Sequence, residues 1–321
     1  MTTLKTTPEQ VKDLSQESLW RLRWRLRLKS FRNNWALFAE NPIGLIGLGV
    51  ILFFALLAVG HPVLMATVWD KNVYDPIRGF DNEIEFHPSE PSARHLLGTD
   101  PTGRDILSQL MYSTQTEFLL GVMAAFVTVV IATTVGALAA YYGGIVDTLL
   151  MRLADLVIMI PLLPILIVLS ALRSDFGMLQ LALVLGVLIG FGSTTVVIKS
   201  QGLAIKVKPY IEAARVAGGS DRHIILKHMI PNLMPIALLY MMFTVTTAIA
   251  IEAVLSFFGL LAIPMSWGIM INTTQNFGYI LRFDTWYLLF PASLAITFLC
   301  AAFYLVGRAL DEVINPRLRT R

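Results

Sequence analysis

Long apolar runs alternate with polar segments along the chain of 321 residues. A run of about 20 apolar residues is long enough to cross a bilayer as a helix. Six segments reach this length, although the fifth is too long for one simple span: 43–65, 118–142, 148–172, 178–198, 233–267 and 286–307. The pattern predicts an all-α membrane protein with six transmembrane helices.

The composition supports the membrane class. Charged residues make up 15% of the chain and hydrophobic residues 55%, whereas a soluble domain carries about 25% charged residues. With the N-terminus inside, most of the 25 basic residues fall on the cytoplasmic side, as the positive-inside rule requires. We therefore expect both termini and the segment 209–231 in the cytoplasm. The net charge of +3 follows from this topology and does not indicate nucleic-acid binding.

The polar N-terminal region contains one regular pattern. Residues 1–18 are polar and we expect them to be poorly ordered, while residues 20–29 alternate strictly, which by itself fits a strand. A helix instead places aromatic and apolar residues on one stripe beside basic residues: Trp20, Trp24, Leu28, Phe31 and Trp35. We interpret the segment as a basic amphipathic helix in the membrane interface; the alternative is a basic stop signal that fixes the topology.

A polar segment between the fourth and fifth apolar runs carries clear helix signals. Pro209 suits the first turn of a short helix, and Gly218 with the glycine after it ends that helix. Ser220 and Asp221 favour the start of a second helix, which we expect to stop at Pro231. The pattern predicts a helix–turn–helix at the membrane face. A DNA-binding role is excluded because membrane spans flank the segment on both sides.

Sequence signatures of catalysis are missing. The chain has no GxxxxGK[ST] loop for ATP phosphates, no HExxH sequence and no paired cysteines. Its five histidines are scattered, and Cys300 is its only cysteine. We therefore expect a non-catalytic chain without a metal or a cofactor of its own.

Three features lie inside the predicted spans. An acid there is costly, so we expect Glu252 to act in packing or gating, with a proton relay as the alternative. Pro161 and Pro164 are expected to break the third span, either to line a path or to bend it for packing. Arg152 and Asp155 are spaced to form an ion pair on one helical face.

The segment 212–232, EAARVAGGSDRHIILKHMIPN, resembles the EAA loop of bacterial binding-protein-dependent ABC importers. Further segments resemble the C-type permease subunits of the dipeptide, oligopeptide and nickel branch of that family: HLLGTDPTGRDILSQLMY (95–112), 141–166, IEAVLSFFGL (251–260), SWGIMI (266–271) and GRALDEVINPRLR (307–319). The resemblance covers residues 30–319. The chain departs from the family pattern at Ser113, Gln115 and 262–265, which leaves the substrate open among peptides, nickel and oligosaccharides.

The resemblance implies a type I ABC importer permease fold that couples to a separate ATPase through the EAA loop at 209–231. It assigns the ATPase contact to six residues: Glu212, Ala213, Ala214, Arg215, Gly218 and Pro231. It also implies a homologous second permease subunit, two ATP-binding subunits that hold ATP and Mg²⁺, and an extracytoplasmic substrate-binding protein. Such a chain forms half of a translocation pathway in a bacterial or archaeal plasma membrane.

The predicted organisation follows from the spans and the resemblance. The segments are a cytoplasmic tail with the amphipathic helix (1–41), the first transmembrane helix (42–66), an extracytoplasmic segment (67–116), the ABC transporter transmembrane domain (117–308) and a cytoplasmic tail (309–321). The competing hypotheses are an ion-coupled secondary transporter, for which Glu252 is the only well-placed acid, and a membrane-bound enzyme, for which the sequence offers no catalytic cluster.

Overall fold

The computed structural model describes residues 19–314, and this part of the chain is built from helices. The principal helices are α1 (Leu19–Ala39), α2 (Pro42–Thr67), α3 (Ile106–Tyr142), α4 (Gly144–Met159), α5 (Leu162–Leu172), α6 (Met178–Lys206), α7 (Pro209–Val216), α8 (Asp221–Phe257), α9 (Trp267–Asn276) and α10 (Trp286–Ile314). Short turns lie at Lys71–Tyr74 and Phe283–Thr285, and π-helical turns interrupt α6 at Gly190–Thr194 and α8 at Ile225–Met229. The predicted all-α fold is confirmed for the described residues.

Five described helices are long and apolar enough to cross a membrane, namely α2, α3, α6, α8 and α10. The pair α4 and α5 passes the same test together, but it bends by 78° at the break. The break falls at Ile160 and Pro161, which are both in extended conformation, and Pro164 lies in the first turn of α5. A proline in the first turn loses no hydrogen bond, whereas one further inside a helix does. With the bent pair counted as one span, the described residues contain the six predicted spans.

Polar caps start several of these helices. The Asn41 side chain accepts a hydrogen bond from the Gly44 N–H at 3.0 Å at the start of α2. Asp105 accepts one from the Ser108 N–H at 2.6 Å at the start of α3. Each cap satisfies a backbone donor that has no partner within its helix.

The helices α3 and α8 form the centre of the bundle. α3 packs against α8, α6 and α2, and α10 packs against α8 and α2. The contact of α6 with α3 is close, because a Cβ at Gly186 would lie 2.5 Å from the Val127 Cβ. α9 packs against α8 and α10, with Trp267 fully buried and its indole N–H donating to the Leu110 carbonyl at 3.2 Å.

The second membrane helix begins earlier than the sequence predicts. Its apolar run starts at Phe118, whereas α3 begins at Ile106. The additional turns carry buried polar side chains: Ser108, Gln109, Ser113, Thr114 and Glu117. Because these residues are buried within the chain, their polarity lowers the hydropathy of the segment without exposing it to water.

The N-terminal segment is helical, and the strand reading of residues 20–29 is wrong. Trp24 and Trp35 are exposed on α1, whereas Phe38 is buried against Val306 and Ala309 of α10. The placement of α1 in a membrane interface stays a prediction. Residues 1–18, for which we expect poor order, and the end of the C-terminal tail at 315–321 lie outside the described residues.

The segment between α2 and α3 has a polar core around His95. This side chain is fully buried, with Nδ1 2.8 Å from Asp105 Oδ2 and Nε2 3.0 Å from Asp81 Oδ2. The hydrogen bond to Asp105 raises the pKa of His95, burial opposes this shift and Asp81 reinforces it. Burial raises the pKa of Asp81, but hydrogen bonds from the Glu83 N–H and His95 and the charge of Arg94 outweigh it and lower this pKa. Because Asp105 also caps α3, these bonds fix the segment to that helix.

We expect the His95 ion pairs to weaken as the pH rises. A group whose pKa is raised on folding stabilises the native state below its unfolded pKa, and this contribution is lost as the pH rises through the higher folded pKa. The melting temperature of the purified protein should therefore fall as the pH rises above the ordinary histidine value of 6.5. The lowered pKa of Asp81 acts in the opposite direction, because its contribution is lost only as the pH falls below 3.8.

The matched variants are His95→Gln and His223→Gln, the second at an exposed position in α8. His95→Gln should remove the decrease in melting temperature above pH 6.5, and His223→Gln should leave it unchanged. An identical pH slope in the native protein and His95→Gln would contradict the assignment.

Candidate functional site

The helix α7 is fixed to the end of the bundle by its inner face. Pro209 occupies its first turn, after Lys208 in extended conformation. Ile211 is fully buried in an apolar cluster with Ile205 of α6 and Ile224 of α8. One strongly buried side chain therefore holds a short helix whose other residues are mostly exposed.

The turn after α7 has the geometry that the sequence predicts. Gly218 has φ +81°, a left-handed conformation that favours glycine. The Gly219 N–H donates to the Ala214 carbonyl at 2.9 Å, and the Gly218 N–H donates to the Arg215 carbonyl at 3.0 Å. This pair of hydrogen bonds is the Schellman ending of a helix. The Ser220 hydroxyl then accepts from the His223 N–H at 3.4 Å and caps α8.

The outward face of α7 is small and partly apolar. Glu212 and Ala213 are exposed, and Val216 is 82% exposed. Arg215 forms an ion pair with Glu212 at 3.2 Å. Ala214 differs from its neighbours, because it is only partly exposed and packs against the internal cluster of α6 and α8. Of the two alanines expected to allow close approach of a partner, Ala213 is the one that faces outward.

Tyr141, at the end of α3, links that helix to both sides of the turn. Its hydroxyl donates to Asp221 Oδ1 at 2.7 Å, and the Arg215 guanidinium lies 5.9 Å from the centre of its ring. The side chain is nearly buried, in contact with the same apolar cluster as Ile211. This role of Tyr141 has no sequence signal, because Tyr141 is far from Arg215 and Asp221 in the chain.

The expectation that the second helix stops at Pro231 is wrong. Helix continues from Asp221 to Phe257 through the π-helical turn at Ile225–Met229. In that turn the Ile230 N–H donates to the Ile225 carbonyl, and Pro231 occupies the first turn of the α-helix that follows. The proline is tolerated because the wider turn changes the hydrogen-bond register before it. The second helix of the loop is thus the start of a membrane span.

The helix α4 leaves two charged side chains on an apolar surface. Only Ala154 of this helix is buried. Arg152 and Asp155 lie 3.7 Å apart, as their spacing predicts, and their side chains are 79% and 56% exposed. A second ion pair, Asp147 with Lys199 at 2.6 Å, connects α4 to α6.

Glu252 is buried at the centre of the bundle. Its Oε1 accepts a hydrogen bond from the Ser256 hydroxyl at 2.5 Å. Glu117, also fully buried, lies on α3, the helix that packs against α8. The sequence analysis missed this partner because Glu117 directly precedes an apolar run. Glu117 precedes the buried Leu120 and Gly121 by three and four residues, and this spacing, which places the three on one helical face, was the available sequence signal.

Comparison with known proteins gives a consistent result. The family described as binding-protein-dependent transport system inner membrane component matches residues 132–320, more than half of the chain. The dipeptide transport system permease protein DppC of Bacillus subtilis is 31% identical over 89% of this chain and 85% of that protein. The oligopeptide transport system permease protein OppC of Haemophilus influenzae is 33% identical over 70% of this chain and 71% of that protein.

The chain belongs to the binding-protein-dependent transport family. It is a multi-pass inner-membrane component and the transmembrane permease subunit of an ABC importer. The family match extends from within α3 to beyond α10 and includes α7 and its turn. This membership favours the importer over the ion-coupled secondary transporter.

The hydroxyl of Tyr141 generates a prediction for this permease subunit. Tyr141→Phe removes the hydrogen bond to Asp221 but keeps the ring beneath Arg215. Because Asp221 is exposed and regains water, the cost to the turn should be about 1 kcal/mol, a several-fold increase in local opening. Hydrogen exchange of the amides at 209–221 measures this opening.

The matched control is Tyr142→Phe, which removes the hydroxyl of a neighbouring, 48% exposed tyrosine. It should leave exchange at 209–221 unchanged. Equal exchange in Tyr141→Phe and the native protein would show that the hydroxyl does not hold the turn.

Proposed function

We propose that this permease subunit forms half of the translocation pathway of an ATP-driven peptide importer and couples to a separate ATPase through α7. The observation that supports this proposal is that the inner face of α7 is anchored in the bundle while its outer face is exposed. Ile211 fixes its inner face, while Ala213 and Val216 are exposed on the opposite side. Exposed apolar residues on a well-anchored helix are typical of a protein contact.

The contact residues expected from the family divide into three groups. Glu212, Ala213 and Arg215 are exposed and are proposed to touch the ATPase. Ala214 and Gly218 are proposed to shape the helix and its turn. Pro231 lies within α8 after the π-helical turn, so we assign it to the span and not to the contact.

Peptides are the proposed substrates because the relatives named above are dipeptide and oligopeptide permease proteins. The departures from the family pattern differ in exposure. Ser113 is buried in α3, whereas Gln115 is partly buried and lines a cavity with His61 and Tyr112.

The charged surface of α4 supports the presence of a second permease subunit. Charged residues at membrane depth are costly unless they face protein or water. Arg152 and Asp155 are exposed in the isolated chain, so we propose that the partner permease or the aqueous pathway covers them. Pro161 and Pro164 are also exposed, and we propose that the break between α4 and α5 lines the pathway.

The full assembly proposed here contains this subunit, a homologous permease, two ATP-binding subunits and an extracytoplasmic substrate-binding protein. ATP and Mg²⁺ are bound by the ATPase subunits, and this chain is non-catalytic. Both termini and α7 lie in the cytoplasm.

Cysteine labelling tests this orientation. In a Cys300→Ser background, a membrane-impermeant maleimide should label Glu85→Cys in intact cells, because the outer segment exposes this side chain. Lys227→Cys, at an exposed position near α7, should react only after the cells are opened. The reverse labelling pattern would contradict the topology.

Bulk on the outward face of α7 tests the coupling role. Ala213→Trp should prevent α7 from docking on the ATPase. Gly218→Val should destabilise the turn by about 1–2 kcal/mol, because a β-branched residue is strained at φ +81°. Both variants should lose ATPase-subunit retention, substrate-stimulated ATP hydrolysis and transport together. Membrane insertion and pairing with the second permease should remain.

Two substitutions serve as controls for this experiment. Ala93→Trp places the same bulk at an exposed position of the outer segment and should leave coupling unchanged. Gly218→Asn tolerates the left-handed conformation better than valine and should retain partial coupling. If Ala213→Trp and Gly218→Val keep full coupling, α7 is not the docking element.

A further inference from the structure

Two buried carboxyl groups meet between the central helices. Glu117 of α3 is 0% exposed and Glu252 of α8 is 1% exposed. A Cβ at Gly121 of α3 would lie 2.7 Å from the Val245 side chain of α8, and Leu120 and Leu255 pack in one buried cluster, so the two carboxyl groups lie on the faces that α3 and α8 turn toward each other. Both are enclosed by this chain alone, so the pair does not depend on a partner subunit for its burial.

The hydrogen-bond partners of this pair are incomplete. Oε1 of Glu252 accepts from the Ser256 hydroxyl. Among residues 19–314, no donor reaches Oε2 of Glu252 or either oxygen of Glu117. No lysine, arginine or histidine side chain of these residues therefore hydrogen-bonds to the three oxygens.

Two ionised carboxylates are not compatible with this arrangement. Ionised carboxyl groups only accept hydrogen bonds, so they cannot satisfy each other. Like charges at short range in a buried site repel each other strongly, and burial adds a desolvation cost for each charge. A single proton changes both conditions, because it turns one acid into a hydrogen-bond donor and removes one charge.

We propose that Glu117 and Glu252 bind and share one proton, which joins α3 to α8 in this conformation. The proton forms a carboxylic acid–carboxylate hydrogen bond between the two helices. A proton fits this pair better than a metal ion does, since the described residues contain no group of three His, Cys, Asp or Glu side chains placed to hold a metal. Retention of the proton by the pair is sufficient to join the two helices, and the proton need not be transported.

The position of the pair gives it a mechanical consequence. α8 begins at Asp221, directly after the α7 turn and its cap Ser220, and continues through Glu252. α3 begins at Ile106, after its cap Asp105 in the outer segment. The shared proton therefore lies on the direct contact between the helix that leaves α7 and the helix that begins in the outer segment. This site does not depend on the assignment of α7 or of the substrate.

Infrared spectroscopy of the purified protein in lipid tests the proposal. At neutral pH the native protein should show the carbonyl-stretch band of a protonated carboxylic acid. Exposed glutamates do not contribute to this band, because neutral pH lies well above the ordinary glutamate pKa of 4.5 and they are ionised. The band should shift in D₂O. The double variant Glu117→Gln/Glu252→Gln should lose it, since two amides hydrogen-bond to each other without a titrating proton.

Glu85→Gln, at an exposed glutamate of the outer segment, is the matched control and should keep the band. A native protein without the band at neutral pH would overturn the proposal, whether or not the double variant folds. A band that appears only when sodium and potassium are removed would also overturn it, because a cation would then occupy the pair. A band that survives in the folded double variant would assign the proton elsewhere.

Discussion

The packing of α3 against α8 is the contact on which the rest of the structure depends. α3 reaches from Asp105, in the polar core of the outer segment, to Tyr141, at the α7 turn. Along this length it packs against α2, α6 and α8. Because protein interiors are close-packed, a shift of α8 relative to α3 must displace both ends of the contact. The outer segment and α7 are therefore mechanically connected through one helix pair.

Polar groups within the bundle follow the same constraint. The polar side chains of a helix in an apolar environment must find their hydrogen-bond partners within the protein. The Trp267 indole does so by donating to the Leu110 carbonyl, and Ser256 does so by donating to Glu252. Glu117 lacks such a donor in the described part of the chain. The proposed shared proton supplies the missing hydrogen bond and so accounts for its burial.

The apolar pattern was sufficient to predict the spans whose side chains are mostly exposed, and it failed where polar residues are buried. α2 coincides closely with an apolar run, and α10 begins with one and continues about two turns beyond it. The first turns of α3 were missed because a hydropathy count does not distinguish a buried Ser108 from an exposed one. Pro231 was assigned as a helix stop because a π-helical turn has no recognisable sequence signal. The contacts of Tyr141 required the fold, since they join residues from distant parts of the chain.

Hydrogen–deuterium exchange of the assembled importer tests the central claim most directly. Exchange at α7 is compared between the permease pair alone and the same pair with its ATPase subunits. The amides of residues 210–216 should exchange more slowly in the full assembly, while those of the outer segment around His95 should be unchanged. Unchanged exchange at α7, with new protection confined to another cytoplasmic segment, would contradict it.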